Sequence, residues 1–172
     1  MISLSRLSAV VITTAALSTL TTVAYAQAPS KMMFVQKATV SNLFEIQTSQ
    51  LALQRSQSND VKAFAQQMVT DHTKAGMDMQ AALAKDTAET APPMTLDPAH
   101  QAKLEQLRRS SPESFDRAYV MLQNDAHHDA VGLFQLYAQG GEPGPLKDFA
   151  ATTLPVLQMH LQHVQMLTEM KP

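Results

Sequence analysis

The 172-residue chain has no cysteine and no tryptophan. Without a thiol it can build no disulfide, thiolate metal site, cysteine nucleophile or cysteine-linked lipid anchor. Charge is also thin: 16% of residues are charged and the formal net charge is −2, with no basic patch of the kind that marks a nucleic-acid partner. Nine prolines and five glycines are too few for a collagen-like, mucin-like or disordered chain, and 45% hydrophobic content can fill one core. No Ser-His-Asp spacing, phosphate-cradling glycine loop or Walker-type motif occurs, which leaves hydrolase and nucleotide readings without support. Period-two alternation is missing over any useful length, so an outer-membrane β-barrel is excluded on pattern. Beyond residue 26 no segment approaches the roughly 20 apolar residues of a membrane-spanning helix.

What is present begins with an address. Arg6 is followed by LSAVVITTAALSTLTTVAYA, which carries no charge and ends in the small-x-small triplet Ala24-Tyr25-Ala26. This predicts a signal peptide, residues 1–26, cleaved before Gln27. An uncleaved anchor helix is the weaker alternative, because the run is rich in Thr and Ser. Removal takes away one basic residue and no acidic one, shifting the charge to −3. The expected product is a single domain over residues 27–172, with its core over 32–167 and, in a Gram-negative cell, a periplasmic location.

Four long segments then repeat apolar residues at helical spacing. The first runs from about Lys31 to Gln57, and on its wheel Phe34, Ala38, Glu45 and Ala52 fall within roughly 40° of one another. Ser58-Asn59-Asp60 breaks it and supplies caps for the second, about Asp60 to Lys85, with the stripe Val61, Phe64, Ala65, Met68, His72, Ala75, Met79 and Leu83. A loop through Pro92 and Pro93 leads to a short helix over Asp97 to Arg109. The third long helix starts after Ser111-Pro112 and ends near Gln139, and its stripe reads Phe115, Tyr119, Leu122, Ala126, Leu133 and Tyr137. Gly140 to Pro145 is the clearest turn. The fourth helix fills the remainder, with Pro155 expected to kink it. Two short turns and one long middle connection predict a four-helix bundle with a single crossover, with plain up-down-up-down still open.

Each long helix places one ligand-capable side chain at or beside its apolar stripe: Glu45, His72, His127 at the stripe's margin, and His160. Glu45 lies 14 residues before Asn59 and His72 lies 13 after it, whereas His127 and His160 each lie 15 residues into their helices. The four therefore meet at half height in either topology. Three imidazoles and a carboxylate suit one divalent transition metal, Zn, Fe, Mn or Cu. Asp71, Asp125 and Tyr119 are candidates to orient those ligands. The competing reading is a metal-free structural or interaction module, in which these groups bond one another or water and set helix register. Of the 11 methionines only Met68, one turn before His72, is placed for copper, and most others read as core filler.

The segments FVQKATVSNLFEIQTSQLAL, VKAFAQQMVTDHTKA, FDRAYVMLQNDAHHDAVGLF and LKDFAATTLPVLQMHLQHVQML, in that order, resemble the exported bacterial family called domain of unknown function 4142. Members are often labelled outer-membrane proteins and grouped with ferritin-like folds, so the resemblance implies an all-α, ferritin-like bundle. It also implies that Glu45, Asp71, His72, Tyr119, His127 and His160 occupy recurrent family positions, with Ala126 where an acid is common. The paired Glu-x-x-His motifs of di-iron carboxylate proteins are absent, since Thr48 lies three residues after Glu45 and no Glu lies three before His72 or His160. The departure speaks against ferroxidase or oxygenase chemistry. An envelope protein serving metal homeostasis or stress, more binder than enzyme, is the expectation.

Overall fold

A computed structural model describes residues 27–86 and 91–169. The expected signal segment lies outside the described residues. Within them are five helices and no strand: α1 (Lys31–Arg55), α2 (Asn59–Lys85), α3 (Pro98–Arg109), α4 (Pro112–Gly140) and α5 (Pro145–Glu169). Serine and aspartate start several of them. Ser30, Ser58 and Asp97 each accept a hydrogen bond from a first-turn backbone N–H, satisfying donors that have no partner inside the helix. α1 ends two residues earlier than its apolar pattern suggests. Asp116 of α4 accepts from the backbone N–H of Gln57 and Ser58, and Ser56 is already extended. Gly141 closes α4, because a Cβ there would meet the Tyr137 carbonyl oxygen at 2.5 Å.

α1 packs against α2 and α4, and α5 packs against the same two helices. Two apolar clusters fix the directions. One joins the start of α1 (Phe34), the end of α2 (Met79), the end of α4 (Tyr137) and the start of α5 (Phe149); the other joins Ala52, Phe64, Phe115 and Val164 from the opposite ends. Every pair of neighbouring helices is therefore antiparallel, and the chain must travel the full length of the bundle between α2 and α4. That is the single-crossover connectivity class to which ferritin-like bundles belong, and it removes the up-down-up-down alternative.

α3 lies on the crossover, against α1. Arg55, in the last turn of α1, donates to the carbonyls of Leu107, Arg108 and Ser110 at 3.3, 2.6 and 2.7 Å, and its guanidinium sits 4.7 Å above the Phe115 ring. One side chain thus caps α3 and ties it to both α1 and α4. Arg55→Ala is expected to cost about 1.5–3 kcal/mol from charged hydrogen bonds, with hydrogen exchange accelerating in α3 and not in α2. Equal acceleration in both helices would contradict this local account.

Two expectations need correction. The buried line of α4 is Phe115, Tyr119, Val120, Gln123, His127, Ala130, Phe134 and Tyr137, whereas Leu122, Ala126 and Leu133 are only half-buried. Those three line a groove beneath the crossover, so α4 has two apolar faces and His127 sits in the middle of the inner one. Among the described residues most methionines lie at the surface: Met32, Met33, Met77, Met94, Met121, Met159 and Met166 are exposed, and Met68 and Met79 are buried. A flexible, polarisable thioether loses little by facing water. α5 continues as helix through Pro155.

Candidate metal centre

Between the two apolar clusters lies a layer of fully buried polar side chains: Glu45, Thr48 and Ser49 from α1, His72 from α2, Gln123 and His127 from α4, and His160 from α5. Burying so many polar groups costs free energy unless each finds a partner. Most do. Gln123 donates to Thr48 Oγ1 at 2.8 Å, Thr48 donates to the Phe44 carbonyl at 2.8 Å, and Ser49 pairs with the Tyr119 hydroxyl at 2.8 Å.

The three histidines form a nearly equilateral triangle, with ring centroids 5.4, 5.5 and 5.7 Å apart. One ring nitrogen of each lies within 4.8 Å of the other two, close enough to hold a metal ion. In every ring the second nitrogen is committed elsewhere. His127 Nδ1–H donates to the Gln123 carbonyl at 2.8 Å, His72 Nδ1–H to Asn42 Oδ1 at 3.0 Å, and His160 Nε2–H to Asp71 Oδ2 at 2.8 Å. The tautomers follow from these partners. They leave lone pairs on His127 Nε2 and His160 Nδ1, which have no hydrogen-bond partner, while His72 Nε2 faces Glu45.

Glu45 completes the set. Ser41 Oγ donates to its Oε1 at 2.9 Å. Its Oε2 stands 2.8 Å from His72 Nε2 and 3.8 Å from His127 Nε2, and like them it is buried without a hydrogen-bond partner. At 2.8 Å the Glu45 carboxylate and His72 Nε2 stand at ion-pair distance, so a proton on that nitrogen or a cation between the two atoms satisfies both. A tetrahedral ion with bonds of about 2.0–2.1 Å spaces its ligands about 3.4 Å apart, a value these two distances bracket.

Electrostatics agree with ligand chemistry. Burial opposes ionisation of Glu45, but His72 and His127 together outweigh it and hold the carboxyl down to about 2. Burial lowers His160 to about 4 against the pull of Asp71, and burial lowers His127 against the pull of Glu45. At neutral pH the centre holds an ionised carboxylate beside neutral His127 and His160, the protonation states that bind metal. A consequence follows for the metal-free protein. An unfolded histidine titrates near 6.5, so depressed folded values mean that stability present above pH 6.5 is lost as pH falls toward 4, by about 3 kcal/mol from His160 alone. Protonation of Glu45 removes more between about 4.5 and 2. Urea unfolding midpoints from pH 7 to pH 4 measure this, and a flat profile over that interval would contradict the buried neutral assignment.

Tertiary structure brings together Glu45, His72, His127 and His160, and it gives Asp71 to His160 rather than to its sequence neighbour His72. Asp125 stands apart. It is two residues, about 200° of helix, from His127, and it is exposed beside Asn124. Tyr119 bonds Ser49 and none of the histidines; burial raises its hydroxyl well above the ordinary range. The pattern did not single out Ser41, Asn42 and Gln123. Each lies three or four residues before Glu45 or His127, on the same helix face, and that spacing was the available signal.

Fold and centre together define a helical bundle with a buried three-histidine, one-carboxylate cluster at half height. The chain belongs to the family described as Domain of unknown function (DUF4142), whose model matches residues 17–167, from within the expected export segment nearly to the end of α5. Neither a curated protein nor a solved structure matches it.

Proposed function

We propose that this protein is an exported, periplasmic bundle that binds one divalent transition metal, Zn, Fe, Mn or Cu, through Glu45, His72, His127 and His160, in service of envelope metal homeostasis or stress. One observation carries the reading: buried ring nitrogens of His72, His127 and His160 lie within 4.8 Å of one another, and Glu45 Oε2 stands 2.8 and 3.8 Å from two of those rings. Neutral imidazoles and a carboxylate supply ligand chemistry that spans the borderline metals. Asn42, Asp71 and the Gln123 carbonyl take the remaining ring protons, which fixes ring orientation as in metal sites generally.

The direct test is elemental analysis of protein purified from the envelope of metal-replete cells, repeated on His72→Ala and His160→Ala. About one metal per wild-type chain, lost in both variants, is expected. No stoichiometric metal in the wild type would leave the cluster as a structural polar layer that sets helix register. Asp71 offers a finer prediction, because it touches the centre only through His160. Asp71→Ala is expected to weaken metal affinity by about 10–100-fold while leaving stoichiometry intact at saturation, as measured by competition with a chelating dye. Unchanged affinity would show that the carboxylate is merely a surface neighbour.

A further inference from the structure

A second feature adjoins the cluster. A cavity of about 20 Å³ lies against Glu45 and His72, on the side of the layer that faces the Phe34 end of the bundle. His127 and His160 do not line it, so it opens on one edge of the cluster only. A single water needs roughly 10–15 Å³ and two to four polar partners. The volume therefore fits one water and little else. Its walls are mostly apolar, but Ser41, Asn42 and Thr153 add polar groups beside Glu45 and His72. Ser41 also lines the groove under the crossover, so one side chain borders both spaces.

From this geometry we infer that the metal centre keeps one exchangeable coordination position, on its Glu45–His72 edge, and that this position takes a ligand the size of a single water molecule. The inference rests on the metal-binding reading and adds two things to it: the site is not closed by its four protein ligands, and its open position selects by size. Water and fluoride fit the cavity. A three-atom anion such as azide exceeds that volume. Closed structural metal sites lack such a position, whereas sites that act on small molecules retain one.

The test uses the full mature chain loaded with manganese(II), with bound metal measured first. In water carrying the magnetic isotope of oxygen, the manganese resonance of the wild type is expected to broaden by the amount one coordinated water gives. Fluoride is expected to remove that broadening and azide to leave it. Ala75→Val points added methyl groups into the cavity from one turn beyond His72, at a position outside the ligand set, and should abolish the broadening at unchanged manganese stoichiometry. One manganese per chain without broadening in the wild type would overturn the open position and leave the metal site standing. Azide acting as readily as fluoride would overturn the size selection, and this arm needs only the wild type, so it holds even if Ala75→Val misfolds. Failure to bind manganese or any other divalent metal would remove the metal reading and this inference together.

Discussion

Saturating the metal-free protein with its divalent ion is expected to raise Tm by about 8–16 °C. At a free concentration of about 1,000 Kd, binding to the folded state contributes about 4 kcal/mol, and a chain of this size gains about 2–4 °C per kcal/mol. The effect should be large because the proposed ligands come from all four long helices, so the ion would be lost only when the bundle opens. A chelator should reverse it. In His72→Ala and His160→Ala the shift should collapse, since each substitution removes one of the four proposed ligands. Calorimetry or thermal circular dichroism with and without metal reads the result. An equal shift in wild type and both variants would place the ion elsewhere, and no shift in the wild type would refute metal binding in this core.

Phe34→Ala is the second large effect, and it separates packing from the centre. Phe34 is completely buried, stacked on Tyr137 with ring centroids 4.0 Å apart and planes 3° from parallel, and it meets Phe134 edge-on at 5.1 Å. These contacts fasten the start of α1 to the end of α4. Truncating a buried Phe leaves a cavity and costs about 3–5 kcal/mol, which converts to a Tm lower by about 6–20 °C. Met33, its neighbour, is 46% exposed, and Met33→Ala should change stability by no more than about 0.5 kcal/mol. Metal stoichiometry should survive in both, because 11 residues of α1, about 16 Å of helix, separate Phe34 from Glu45. Equal effects of the two substitutions, read by urea unfolding, would refute the aromatic cluster as the anchor of this end.

Helical periodicity made the elements legible, since a stripe that repeats at 3.6 residues records which side of a helix is dry. The stripes through Phe34 and Ala38, and through Phe64, Met68 and His72, are the buried faces of α1 and α2. α4 shows where that signal ends. Its apolar residues cover two faces, one toward the core and one toward the groove under α3, and a single wheel averages them. His127 reads as marginal for that reason, although it is the central buried residue of the helix. The methionines misled similarly, because hydrophobicity at helical spacing makes most of them read as core filler, while side chains such as Met77 and Met166 stand in water.

By itself the sequence determined that this is an all-helical chain with four long amphipathic helices and one long middle connection, and that Glu45, His72, His127 and His160 share one height. Those properties are local: they depend on spacing along a helix and on distance from a turn. Tertiary structure alone decided that neighbouring helices are antiparallel around the whole ring, that Asp71 reaches across to His160, and that Asn42 and the Gln123 carbonyl take the protons of His72 and His127. It also decided that a one-water cavity adjoins Glu45 and His72 and not the other two histidines. These properties depend on how far each helix is rotated and shifted against its neighbours, which no single helix encodes and which only the joint packing of the two apolar clusters fixes.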